Sequence, residues 1–171
     1  VRIASTTQLD GVIIIAPKII VASNFKGNFQ GFASQKINIA KNVRLTYPSS
    51  LVVINKRSST NEREENIKVD AQSEVQGIVI YYDDLLQANY NTHILIDPKA
   101  LIRGEIYCNR NLELNGKIEG FVYTNNFITR QNGRTYINHL YNTEINAEMM
   151  SEKYSGLFIG TTKTTVAKWM Y

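Results

Sequence analysis

The chain has two histidines, His93 and His139, and a single cysteine, Cys108. A protein-held zinc ion needs several Cys, His or carboxylate ligands at short spacings, and neither histidine has such a partner in an H-x-x-x-H or related pattern. No G-x-S-x-G elbow is present, and neither histidine belongs to a Ser/His/Asp arrangement. Cys108 lies two positions after the apolar Ile106, so strand alternation turns both to the same inner side, where a buried cysteine behaves as a small hydrophobe. One cysteine also rules out an intrachain disulfide and leaves the redox compartment open.

The carboxylates offer more. Asp70 and Asp97 each directly follow an apolar strand residue, after Ile67-Lys68-Val69 and Ile94-Leu95-Ile96, at equivalent places in two related segments. Glycoside chemistry uses two carboxyls at a defined separation across a bond, so these two are the candidates for a carbohydrate-active site. An Asx turn after a strand accounts for both without catalysis, and this is the preferred reading. Asp83-Asp84 falls short of a calcium loop. Gly27 and Gly31 lie within strand patterns with no helix after them, which excludes a phosphate-cradling loop. Lys163, Lys168, Trp169 and Tyr171 give the tail only a thin basic and aromatic character, so nucleic acid is not an expected partner. No catalytic residue, metal or cofactor is assigned.

The elements that would position these residues are written in a repeat. Ile102-Arg103-Gly104-Glu105-Ile106-Tyr107 returns sixteen positions later as Ile118-Glu119-Gly120-Phe121-Val122-Tyr123, and an earlier copy is Val75-Gln76-Gly77-Ile78-Val79-Ile80. A weaker copy is Phe25-Lys26-Gly27-Asn28-Phe29. Apolar residues fall at alternate positions, the period of a strand, with a glycine between two of them. Such a unit cannot bury its apolar side alone, so copies must stack. The expectation is an all-β, single-stranded parallel β-helix, a right-handed solenoid. Val75, Ile102 and Ile118 would form one inward column and Val79, Ile106 and Val122 the next. Gly77, Gly104 and Gly120 are expected at equivalent structural corners, and Arg103 and Glu119 as an ion pair across neighbouring strands. Alternation sends Ile78, Ile80, Tyr107, Phe121 and Tyr123 outward, forming an interface stripe too apolar to stay wet.

Charge and composition allow this reading. With 43% hydrophobic and 20% charged residues the chain is not disordered, and a formal charge of +4 spread over scattered Lys and Arg reflects solubility. It divides into a lead-in arm over 1–10, coils over 11–137 and a capping segment over 138–171. Val12-Ile13-Ile14-Ile15 and Ile19-Ile20-Val21 read as two buried strands, broken at Pro17 and too short to span a bilayer. Lys56 to Asn66 is a polar surface loop, and Asp83 to Asn91 a second excursion. Asn132-Gly133 marks a hairpin turn. Thr143 to Tyr154, with Thr143 as N-cap and Ile145 four residues before Met149, is the helix candidate, and residues 140–171 are expected to fold back over Ile80, Tyr107 and Tyr123. A first residue other than methionine suggests a trimmed product.

The line I-x-I-D-x-x-A-x-I-x-G-x-I at Ile94 to Ile106, with I-x-G-x-V at Ile118 to Val122, resembles the bactofilin-like, polymer-forming cytoskeletal β-helices of bacteria. The resemblance covers about residues 67–128. It implies a scaffold with no catalytic residues, associated with the membrane or envelope. The expected function is therefore a non-enzymatic structural or adhesive domain of a bacterial envelope or surface protein. Self-association or an envelope protein would be its partner, and any membrane contact would come through a segment not in this chain. The alternative is a carbohydrate-active domain using Asp70 and Asp97, with polysaccharide as partner.

Overall fold

The computed structural model describes residues 1–55, 65–84, 89–150, 154 and 156. Among them the chain forms twelve strands and one 3-10 turn. The strands are β1 (Arg2–Ile3), β2 (Val12–Val21), β3 (Lys26–Gly27), β4 (Phe29–Ile39), β5 (Arg44–Asn55), β6 (Ile67–Val69), β7 (Glu74–Asp83), β8 (Ile94–Ile96), β9 (Leu101–Leu114), β10 (Lys117–Gln131), β11 (Arg134–Ile137) and β12 (Glu144–Ile145). Alternating β-branched residues make the ring strands, and the same alternation buries one side of them, as in the Ile67 and Val69 pair or the Ile94 and Ile96 pair, whereas β11 and β12 bury no residue.

The expected solenoid is corrected. Six strands in the order β4-β6-β8-β9-β7-β5 form a closed parallel barrel, because β4 and β5 also pair with each other. Two long strands make closure possible. β4 pairs with β5 through Gln30–Ala33 and with β6 through Ile37–Ile39. β9 pairs with β7 through Leu101–Cys108 and with β8 through Leu112–Leu114. A strand that bends between two partners carries the sheet around a corner, and the ring leaves no free edge between its members. The remaining strands flank the ring: β1 and β2 lie beyond β4, β3 beside β5, and β10 beyond β9 with β11 and β12 attached to it.

The core is built from rows of equivalent side chains. Val75 pairs with Ile102, and Ile102 with Ile118, all fully buried; Val79 and Ile106 are buried beside them, with Val122 packed on at the rim. Opposite them, Ile19, Ile37, Ile67, Ile94 and Leu112 form a second row through successive pairings. Connections repeat as well. Asn24, Asn42, Gln72 and Lys99 each hold a left-handed backbone conformation one residue before a buried side chain at Phe25, Val43, Ser73 or Ala100. Asparagine tolerates that conformation better than most residues, which accounts for two of the four positions.

Three local expectations meet different outcomes. Asn132 and Gly133 both have positive φ and join β10 to β11 as an antiparallel hairpin, as the Asn-Gly pair predicts. The helix over Thr143 to Tyr154 is corrected. Ile145, 39% exposed, pairs in parallel with Ile118, so this segment starts as β12, and among its described residues helical structure is confined to one 3-10 turn at Ala147–Met149, with Asn146 as its N-cap. Thr143 does not cap; its hydroxyl donates to the carbonyl of Gly116 at 2.6 Å. The lead-in is not simply an exposed arm, since Ile3 is buried and β1 pairs with Ile20 and Val21.

Candidate functional site

Residue pairing places one parallel ladder across six strands, running from β2 through β4, β5, β7 and β9 to β10. One outer row reads Ile15, Phe32, Val52, Ile80, Tyr107, Tyr123, and another reads Ile13, Gln30, Ser50, Ile78, Glu105, Phe121. The expected stripe of Ile78, Ile80, Tyr107, Phe121 and Tyr123 therefore lies in two adjacent rows. Its first three members are half-buried, while Phe121 and Tyr123 are 41% and 43% exposed at the last strand.

Among the described residues, both ends of this ladder are open along their middle. On the far side of β2, β1 reaches only Ile20 and Val21, so no described strand pairs with Val12–Ala16. Ile13 is 61% exposed and Ile15 80%. The reading of Val12 to Ile15 as a buried strand is thereby corrected: Ile14 packs against the core, while Ile13 and Ile15 alternate to the outer face and stay exposed. On the far side of β10, β12 pairs with Lys117 and Ile118 and β11 with Ile128–Gln131, leaving Phe121–Asn126 without a described partner strand. Unpaired parallel edges carrying exposed apolar side chains are sites for adding another strand.

Beside the stripe runs a column of close backbone approaches. Gly77, Gly104 and Gly120 pair in register below Ser49 and have φ of +139°, +142° and +151°. A Cβ at any of them would fall on a carbonyl oxygen of the preceding strand, that of Ser49, Gly77 or Gly104 respectively. The glycines thus combine a conformation closed to other residues with a lack of space. Tyr154 sits on this column. Its ring packs edge-on to Tyr47 with centroids 6.2 Å apart, and its hydroxyl reaches the Gly77 carbonyl at 3.5 Å. Gly156 lies against the carboxylate of the buried Glu105. The segment returns, then, to the glycine column just ahead of the predicted stripe. The rest of the expected fold-back, in 151–153, 155 and 157–171, lies outside the described residues.

Charged residues stand on two neighbouring rows, Arg44 paired with Glu74 and Arg103 with Glu119, and Glu74 meets Arg103 diagonally between them. Arg103 bonds Glu119 through Nε at 2.6 Å and Glu74 through a terminal nitrogen at 3.0 Å, and Glu74 also approaches Arg44 at 3.6 Å. The expected pair is thus one link in a ladder of alternating sign.

Residues with chemical potential are mostly engaged with one another. Asp70 and Asp97 do come together, both on Lys68 at 2.7 and 3.6 Å. The Asp70 hydrogen bond, above all, raises the Lys68 ammonium above its ordinary value. Burial raises the Asp97 carboxyl, with the Asp70 carboxylate in hydrogen-bonding contact adding to the rise and Lys68 opposing it. The two carboxylates thus share one ammonium partner. Cys108 points into the core, and burial pushes its thiol up to about 12. His139 stays near the surface, its Nδ1 2.8 Å from the carbonyl of Ile137. Among the described residues no group of three or more His, Cys, Asp and Glu side chains is placed to hold a metal ion. No helix there is long and apolar enough to cross a membrane.

His93 belongs to a buried polar network that sequence reading missed. It is 6% exposed, its ring lies 4.9 Å from that of Tyr81, and its Nδ1 accepts from the backbone N–H of Asn111. Burial lowers its pKa to about 4, with Arg110 adding to the effect and Asp83 opposing it. The Tyr81 hydroxyl donates to buried Asp83 at 3.2 Å, and burial, then Asp83, raises its pKa. Arg110 approaches the same carboxylate at 3.8 Å. Asn109 brackets the Asp83 backbone, accepting from its N–H at 3.0 Å and donating to its carbonyl at 2.7 Å. Asn125 donates in turn to the carbonyl of Asn109. A signal existed: Asn109 and Asn125 are sixteen apart, the spacing of the repeat itself. The network braces the bend of β9.

The polar loop at 56–64 and the tip of the second excursion at 85–88 lie outside the described residues, as do Lys163, Lys168, Trp169 and Tyr171. Comparison with known proteins finds no matching family model, no matching curated protein and no matching solved structure.

Proposed function

We propose that this chain is a non-enzymatic structural domain that self-assembles, the open β10 edge of one copy adding to the open β2 edge of the next. The observation that carries this reading is the bare β2 edge, Val12–Ala16, with Ile13 and Ile15 the most exposed isoleucines of a continuous parallel ladder. Every pairing within that ladder is parallel, so a β10-to-β2 junction continues the pattern already used five times inside the molecule. The two edges differ, and a contact between unlike surfaces is heterologous, which propagates into chains unless it closes into a ring. A scaffold role fits the carboxylates and the thiol, which are occupied with neighbours or turned inward. The resemblance of the repeat to polymer-forming bacterial scaffolds supports an envelope or surface setting for this role.

Sedimentation over a range of concentrations tests the proposal. The unmodified protein should show species growing with concentration. Ile13→Lys with Ile15→Lys, and separately Phe121→Lys with Tyr123→Lys, should each remain monomeric at concentrations at least about tenfold higher, since a charge on an edge opposes strand addition. Mixing the two variants should restore dimers and nothing longer, because one intact β2 edge then meets one intact β10 edge. An unmodified protein that is monomeric throughout sinks the reading, and a β10-edge variant that dimerises alone shows like edges pairing instead.

A further inference from the structure

An open groove with a volume of about 740 Å³ lies where the turn before β9, the turn before β10, and the hairpin with the segment after it converge. Its volume falls in the usual range for ligand sites, roughly 300–1,000 Å³. None of its residues belongs to either open edge of the ladder, so binding here is independent of self-assembly.

The groove's chemistry is one-sided. Lys99, Lys117 and Arg130 line it, and no acidic residue does. Asn115, Gln131 and Asn142 add amides, and Tyr141, 56% exposed, adds the one aromatic ring. Lys117 and Arg130 have carboxylates behind them: Lys117 Nζ is 2.6 Å from Glu144, and Arg130 Nε is 3.8 Å from Glu113. Lys99 makes no ion pair among the described residues, and its backbone is left-handed at φ +66°, as is that of Asn142 at +51°. The wall is held. Thr143 donates to the Gly116 carbonyl and buried Thr129 donates to the carbonyl of His139, both at 2.6 Å, which pins the segment carrying Tyr141 and Asn142 against β10.

A ring to stack on, amides that both donate and accept, and cations without a lining acid match a chain of sugar rings bearing hydroxyls and carboxylates. Single-stranded nucleic acid would call for a succession of stacking aromatics, and the groove has one. We propose that this groove binds an acidic oligosaccharide, Tyr141 taking a ring face, Lys99 and Arg130 the carboxylates, and Asn115, Gln131 and Asn142 the hydroxyls.

Calorimetric titration of the full chain with a short oligogalacturonate, a neutral maltooligosaccharide and a single-stranded oligonucleotide tests this. The oligogalacturonate should bind, more weakly as salt rises, and the other two at least about tenfold more weakly. Tyr141→Ala and Arg130→Gln should each weaken it by about threefold to tenfold, the size expected for losing one stacking or one charged contact. Lys99→Gln should do likewise, whereas Lys41→Gln, the same charge change on an exposed turn outside the groove, should not. Absence of oligogalacturonate binding overturns the proposal. So does tighter binding of the oligonucleotide, or a loss with Lys41→Gln equal to that with Lys99→Gln, which would mean attraction to net charge alone.

Discussion

At the scale of residues, a positive φ and a close contact can be separated by two glycines. Gly104 has both, whereas Gly133 has φ +74° and nothing within 4 Å of where a Cβ would stand. Gly104→Ala should therefore cost on the order of 1–3 kcal/mol of unfolding free energy, and Gly133→Ala no more than about 1 kcal/mol, that of the backbone conformation alone. Equal losses in denaturant titrations would mean that the Gly77 carbonyl simply moves aside. His93 gives a pH prediction. Its folded pKa, about 4, is below the unfolded value near 6.5. The unfolded chain therefore takes up a proton first as pH falls, and stability is lost between about pH 6.5 and pH 4, then levels off. A difference of that size corresponds to about 3 kcal/mol, an order-of-magnitude figure. His93→Gln should flatten that part of the stability profile, and a profile of unchanged slope would show that other groups govern it.

At the scale of elements, the strands are held in register from both sides. Inside, rows of Ile and Val match; outside, Arg44, Glu74, Arg103 and Glu119 alternate in sign from β5 to β10. A slip by one residue would turn every inward side chain outward and put the charges out of step. The charges contribute less than the apolar rows, because the Arg103 side chain is 47% exposed. A double-mutant cycle of Arg103→Met with Glu119→Gln should give a coupling of about 0.2–1 kcal/mol that fades in high salt. A larger, salt-independent coupling would mean that the pair is shielded from water.

At the scale of the whole molecule, closure combines pairings of successive strands, β4 with β5 and β8 with β9, with pairings that skip one strand, β4 with β6, β5 with β7, β6 with β8 and β7 with β9. β5 pairs with β4 and β7, and β8 with β6 and β9, so each ring strand has two neighbours and none can leave without breaking two ladders. The short strands β6 and β8 should then exchange their amide hydrogens together with β7 and β9, at the free energy of global unfolding. β11 and β12, outside the ring, should exchange faster. Separate, fast exchange of β6 and β8 would show that the ring does not unfold as a unit.

Within the repeat block, the one-dimensional pattern by itself determined which side of each strand faces in and which positions are partners. Gly77, Gly104 and Gly120, the row from Val75 to Ile118, and the pairing of Arg103 with Glu119 follow from alternation and a recurring spacing, both local properties of the chain. Only the tertiary structure decided that the sheet closes. A repeat states that equivalent strands pair, but closure depends on how far β4 and β9 bend and on the extra contact between β4 and β5, neither of which has a period. The same limit explains the helix that became a strand: Ile145 sits four residues before Met149 in sequence, yet its free energy is set by the open place beside Ile118. It also explains Val12 to Ile15, whose composition says buried, since burial of Ile13 and Ile15 depends on what packs on the outer face they share. Asp83, His93 and Arg110 lie far apart in the chain, and only the bend of β9 brings them into one buried network.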